Sequence, residues 1–184
     1  MYRISTLLAV VAVGLAALPA GAADEKGLYS SPTIEGYGKM HPLPQAAYRP
    51  DPQGTYKVVF ALTGFPRVPT DVNPSLDRVA RAVNLFVSAG VPLGHLKFVA
   101  LAWGPATPLT LDDAHYKATY GVSNPNLAVI ALLRKAGVDV TVCGQAVAER
   151  DWSYEWIDPS VTVTLSSVTT LTTLQDAGYR LMPL

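Results

Sequence analysis

The sequence contains a single cysteine in 184 residues. One thiol cannot close an internal disulfide, so the domain must be stable from its apolar core alone. Neither a Cys-x-x-Cys nor a His-x-x-His spacing occurs among that cysteine and the three histidines, which excludes the common structural zinc frameworks. Basic clusters are missing too, because 14 Lys and Arg are scattered against 14 Asp and Glu. Phosphate backbones require a concentrated positive surface, so nucleic acid is not an expected partner. There is no Gly-x-Ser-x-Gly elbow. There is also no Gly-x-Gly-x-x-Gly or Walker loop after the first strand, where Thr63-Gly64-Phe65-Pro66-Arg67 has too little glycine to cradle phosphates. Neither a hydrolase nucleophile nor a nucleotide cofactor is implied.

What is present begins with a leader. Arg3 precedes an almost unbroken apolar run from Ile4 to Ala20, and Ala20-Gly21-Ala22-Ala23 supplies small residues for cleavage ahead of Asp24 and Glu25. Residues 1–23 are therefore expected to be a secretory signal peptide, making the protein periplasmic or secreted and free of the membrane after cleavage. A retained anchor is the alternative, since the run lies at the lower limit of a bilayer-spanning length. A lipoprotein would need a cysteine at the cleavage site, and a twin-arginine signal a second Arg beside Arg3; the sequence has neither. About 160 residues remain, enough for one domain with a real core, and losing Arg3 leaves it slightly acidic.

Residues 24–53 read as a Pro/Gly-rich arm with no helical or strand period, expected to wrap the domain surface or a neighbouring subunit. The ordered domain, 54–184, then alternates. Tyr56 to Thr63 is a nearly continuous apolar strand, buried on both faces. Asn73-Pro74 caps a helix with Leu76, Val79, Ala80, Val83 and Phe86 at helical spacing, closed by Gly90. Leu96 to Trp103 is a second strand. Thr110-Leu111-Asp112-Asp113 resembles a capping box opening a short helix that ends at Gly121, and Asn124-Pro125 opens a third helix that stops at Gly137. A strand from Val138 runs to Cys143, and Gln145 to Arg150 is compatible with a short helix. Val161 to Leu165 alternates as a strand, Val168 to Ala177 is a helix ended by Gly178, and Tyr179 to Met182 is the last strand. Strands separated by helical segments imply right-handed crossovers. The expected architecture is a three-layer α/β/α sandwich on a mostly parallel five-stranded sheet, loosely flavodoxin-like.

Cys143 sits where the strand stops and a Gly-led turn begins, at the sheet edge where open α/β folds place their chemistry. The peptide N–H groups of that turn, and the positive end of a helix starting there, would favour the thiolate, the form that acts as nucleophile or sulfur acceptor. Gly144 carries no side chain and would let a donor approach. A Cys143 directed into the sheet would instead be an inert small hydrophobe. Both readings stand at this level.

A wider pattern surrounds the thiol. Gly104-Pro105-Ala106 follows the second strand, Asn124-Pro125-Asn126-Leu127 opens a helix, and Ala136-Gly137-Val138 leads into Val142-Cys143-Gly144-Gln145-Ala146. Leu165-Ser166, Leu174-Gln175 and Gly178-Tyr179 close the chain. In order and spacing this resembles the exported branch of the DsrE/DsrF-like family over most of Tyr56 to Pro183. The resemblance implies a sulfur-relay role in which Cys143 carries sulfane sulfur as a persulfide between a donor and an acceptor protein. It also implies a homo-oligomer, a trimer or hexamer. Trp103, Gly104, Pro105, Gly144 and Gln145 are the candidate substrate-binding residues around the catalytic Cys143. Many relatives have His-Gly-Pro-Ala where this chain has Trp103-Gly104-Pro105-Ala106. An indole can only pack or donate one hydrogen bond, whereas an imidazole could act on a neighbouring thiol.

Other features point less far. A soft-metal site pairing Cys143 with His115 is one reading, with surface solvation of His115 and Asp112 as the other. Ser166-Ser167 reads as a strand-to-helix cap. Trp103, Tyr116, Tyr120, Trp152, Tyr154 and Trp156 come from segments near the carboxyl edge and could line a pocket beside the thiol, or pack the core and a subunit contact. The competing function is a noncatalytic oligomeric protein that binds a small ligand or metal, with Cys143 structural.

Overall fold

The computed structural model describes residues 30–184. The expected signal peptide over 1–23 and the start of the arm lie outside the described residues. Among the described residues no helix is long and apolar enough to cross a membrane.

Five parallel strands form one sheet: β1 (Tyr56–Leu62), β2 (Leu96–Ala102), β3 (Asp139–Cys143), β4 (Thr162–Thr164) and β5 (Arg180–Pro183), in the order β4-β3-β2-β1-β5. The helices are α1 (Pro74–Ser88), α2 (Asp113–Tyr120), α3 (Leu127–Lys135), α4 (Gly144–Ala148) and α5 (Ser167–Asp176). Chain order and strand order together dictate the layers. From β1 to β4 every step goes the same way across the sheet, so right-handed crossovers put α1 to α4 on one face; the return from β4 to β5 reverses direction and puts α5 alone on the other.

The core divides accordingly. Val58, Phe60 and Leu62 of β1, Phe98, Ala100 and Ala102 of β2, and Val140 and Val142 of β3 pack with Leu76, Val79 and Val83 of α1, Tyr116 of α2, and Ile130 and Leu133 of α3. The alternate residues Val59, Val99 and Leu101 face Leu171 and Leu174 of α5, with Trp103 and Tyr179 at the margin. The expected α/β sandwich is present, with one outer layer built from a single ten-residue helix that buries none of its residues fully.

The arm is anchored rather than periodic. Ile34 and Met40 are buried, and Ser30 and Met40 form an antiparallel bridge. The Asn84 amide of α1, fully buried, accepts from the N–H groups of Thr33 and Ile34 at 3.1 and 2.8 Å and donates to the carbonyls of Tyr37 and Gly38 at 3.0 and 3.1 Å. Gly38, at φ +59°, passes so close to α1 that a Cβ there would overlap the Arg81 backbone.

Element boundaries agree with the periodicity to within a few residues, with one informative shift. A 3-10 helix, Gly104–Thr110, fills the stretch between β2 and α2, and the Thr110 hydroxyl donates back to the Thr107 carbonyl at 2.7 Å. Thr110 is therefore not the cap of α2. Asp112 is: its carboxylate accepts the His115 N–H at 2.7 Å.

Candidate functional site

Strand connections diverge at one place on the carboxyl edge. The chain leaving β3 enters α4 on the four-helix face, whereas the chain leaving the adjacent β4 enters α5 on the opposite face. Such a switch point opens the crevice in which parallel α/β sheets bind ligands. Cys143 is the last residue of β3 and pairs in register with Thr164, the last of β4. The thiol thus stands at the switch point.

Its direction follows from the pleat. Val140 and Val142 belong to the four-helix core, so Cys143 turns to the α5 face, as Thr141 does. There the Ser167 N–H, at the first residue of α5, donates to the sulfur at 3.1 Å. Ser166 caps that helix, its hydroxyl accepting the Thr169 N–H at 3.1 Å, which leaves the Ser167 donor for the thiol. The strand-to-helix cap is where the sequence placed it. α4 starts directly after the cysteine, at Gly144. The sulfur therefore meets an N–H from a second helix start, twenty-four residues along the chain, that no local pattern announced. Cys143 is 4% exposed, with the β4–α5 turn folded over it.

The other predicted site residues take different stations. Trp103 extends β2 one residue beyond the pair Ala102↔Val142, which sets it beside Cys143 on the α5 face, packed against the Val59, Val99 and Leu101 cluster. Gly104 has φ +55°, and its carbonyl accepts from Arg150 Nη2 at 2.6 Å and from the Thr107 hydroxyl at 2.8 Å. Arg150 also donates to the Ala146 carbonyl at 2.8 Å and lies over the Trp152 ring, tying the loop after β2 to α4. Pro105 is exposed. Gln145 is exposed as well and reaches the Leu165 carbonyl at 3.4 Å. Gly144 is buried, and a Cβ there would stand 2.6 Å from the Thr164 carbonyl oxygen. Its missing side chain makes room for the neighbouring strand, not for an incoming donor.

The aromatic residues do not share a pocket. Tyr116, Tyr120, Trp152 and Trp156 pack on the four-helix core, Trp103 lies on the opposite face, and Tyr154 is half exposed with its hydroxyl near the Gly144 carbonyl. Burial pushes the phenols of Tyr116 and Tyr120 above their ordinary pKa, the neighbouring Tyr120 adding to the effect on Tyr116. His115 is held elsewhere. Its Nδ1 lies 2.8 Å from both carboxylate oxygens of Asp112, and its ring stacks on Trp156 at 4.6 Å between centroids. Among the described residues no three His, Cys, Asp or Glu side chains are grouped to hold a metal ion.

The profile of the DsrE/DsrF-like family matches residues 57–184, from the second residue of β1 to the end of the chain. The chain belongs to the DsrE/DsrF-like family. That family is related to sulfur relay, in which its members act with partner proteins. The DsrE/DsrF-like region so matched includes the whole switch point, from Trp103 through Cys143 to Ser167. No curated protein matches the chain. Among solved structures, a protein of unknown function from Methanobacterium thermoautotrophicum, MTH1491, aligns over 70% of this chain and 99% of its own, at 16% identity and a TM-score of 0.49.

The cap at Asp112 in this DsrE/DsrF-like domain has a consequence for acid stability. Burial alone would raise the Asp112 carboxyl. The His115 backbone and ring bonds, the His115 charge and the Ala114 N–H outweigh it and hold the group below its ordinary 3.8. A carboxyl lowered by folding contributes stability that is complete above its unfolded value and lost as pH falls through the folded one. Asp112→Asn keeps a competent cap but removes the titration. Its acid unfolding curve is expected to be shallower below about pH 4, and a curve superimposable on the parent's would show that the pair contributes nothing.

Proposed function

We propose that this protein is an exported sulfur carrier in which Cys143 accepts sulfane sulfur from one partner protein and delivers it to another as a persulfide. The observation that carries the reading is the Cys143 sulfur at the β3–β4 switch point, receiving the Ser167 N–H at 3.1 Å. Charging is a displacement at sulfur. The Cys143 thiolate attacks the outer sulfur of a donor persulfide, the donor's S–S bond breaks as the Sγ–S bond forms, and the donor leaves as a thiolate. Discharge is the same exchange, an acceptor thiolate taking the outer sulfur while Cys143 departs as thiolate. Each bond made is matched by one broken, so neither step needs a separate oxidant or reductant. Negative charge returns to Sγ on discharge, where the Ser167 donor already points.

Arg3 and the apolar run from Ile4 to Ala20, read as a signal peptide over residues 1–23, are what supports a periplasmic or secreted location, and a single thiol that forms no internal disulfide suits a carrier there. Assembly as a trimer or hexamer is part of the proposal. Leu165 and Val168, 71% and 73% exposed beside the thiol, supply apolar surface for subunit or partner contact. The depth of Cys143 favours a second reading, an oligomeric small-ligand or metal binding protein with a structural thiol.

Intact mass distinguishes the two. Incubated natively with a small-molecule persulfide donor, the protein is expected to gain one sulfur that Cys143→Ser never gains. An adduct seen only after denaturation would establish the second reading and overturn the first.

A further inference from the structure

A second site lies at the opposite edge of the sheet from the thiol. The arm from His41 to Pro50 lies along the start of β1 and the last turn of α1, and between them runs a half-open groove of about 720 Å³. This lies within the ~300–1,000 Å³ typical of small-molecule sites. Its walls are apolar: Leu43 and Pro44 of the arm, Tyr56 of β1, and Leu85 and Phe86 of α1. Leu43 is 66% and Leu85 44% exposed, so two large aliphatic groups are left in water facing the groove. Tyr48 stands wholly in solvent at its rim with a φ of 53°, a backbone region costly to residues other than glycine.

Among the described residues of the lining the ionisable groups are His41, Arg49 and two tyrosines, with no carboxylate. Arg49 Nη1 donates to the carbonyls of Leu43 and Pro44 at 3.2 and 3.1 Å, which fixes the guanidinium on the arm. The donors on Nε and Nη2 remain, and among the described residues no carboxylate forms an ion pair with Arg49. At the end of α1 the carbonyls of Leu85, Phe86 and Val87 are taken up by the N–H groups of Ala89, Gly90 and Val91 and by the Ser88 hydroxyl, so an anion must find its counter-charge on Arg49.

The geometry points to a binding site for a single-chain anionic amphiphile, a medium-chain carboxylate whose alkyl chain lies on Leu43, Leu85 and Phe86 while its head group pairs with Arg49. The site is independent of Cys143, which lies at the other end of the strands.

Dodecanoate below its micellar concentration is the probe, titrated into the full chain by calorimetry and followed by native mass spectrometry. One equivalent is expected to bind, and dodecanol and dodecyltrimethylammonium more weakly. Arg49→Gln should weaken dodecanoate about tenfold, the scale of one charge-assisted hydrogen-bond pair. Leu85→Glu, a change at a half-exposed helix position, should abolish binding while leaving the melting temperature and persulfide uptake at Cys143 unchanged. Equal affinity for the three probes, or dodecanoate binding indifferent to both substitutions, overturns the proposal. So does sedimentation with anionic vesicles without uptake of monomeric dodecanoate. Loss of self-association in Leu85→Glu with dodecanoate binding unaltered would assign the groove to a second copy and likewise overturn it.

Discussion

Gly144→Ala is expected to lower the unfolding free energy by about 1–3 kcal/mol, the usual cost of overpacking, and at the same time to speed alkylation of Cys143 in the native protein. The new Cβ would lie 2.6 Å from the Thr164 carbonyl and 3.4 Å from Val163 Cγ1. Something must yield, and the candidates are unequal. β3 is held on both sides, whereas β4 is a three-residue strand that among the described residues pairs only with β3. Displacing β4 carries the turn from Leu165 to Ser167 with it, and so withdraws the donor from the sulfur. Alanine is the better helix former at the first residue of α4, so a loss of stability cannot be assigned to the helix itself. Urea unfolding and the rate of reaction with iodoacetamide measure the two effects. Reduced stability with an unchanged alkylation rate would mean that the β4 carbonyl does not hold the cover over Cys143.

A second large effect is expected far from the thiol. Asn84→Ala removes a fully buried amide that serves four backbone groups of the arm. Each buried group left unpaired costs about 1–3 kcal/mol, and water reaching the opened arm offsets part of the sum, so a net loss of about 3 kcal/mol is expected. Gly38 makes the failure cooperative. It rests directly against the Arg81 backbone, so the arm cannot slide to new partners without parting from α1. Limited proteolysis should then cut between residues 30 and 50 while 56–184 stays resistant. An arm as protected as the parent's would show that Ile34 and Met40, not Asn84, hold it.

How much of this was readable beforehand depends on the range of the interaction. The strands were legible because burial on both faces makes them near-continuous apolar runs, as in Val58-Val59-Phe60-Ala61-Leu62. Helix ends were legible where a single residue type does the work, as with Asn73, whose side chain accepts the N–H groups of Ser75 and Leu76. Thr110 misled because a Thr followed three residues later by an acid fits the start of a helix, while nothing local reveals that its hydroxyl already serves a preceding 3-10 turn. The arm had no period to read, since its burial rests on isolated residues such as Ile34 and on a long-range amide. At the site, the position of Cys143 at a strand end was visible. What surrounds its sulfur was not: the Ser167 donor and the close passage of Thr164 across Gly144 join residues about twenty apart, and they depend on which strand lies next to which. Periodicity specifies strands and faces but says nothing of their lateral order.

The lone helix over the far side of the sheet has a dynamic corollary. Four helices protect one surface, but α5 protects the other without one residue fully shielded from water. Segments so lightly packed detach as cooperative units well before the molecule unravels. Amide hydrogens of Leu171 and Leu174 should accordingly exchange with deuterium faster than those of Val79 and Val83. Mild urea should unmask the thiol while circular dichroism still reports an intact sheet, so that the sulfur is reached by the breathing of one helix and its rate of exposure is decoupled from global unfolding.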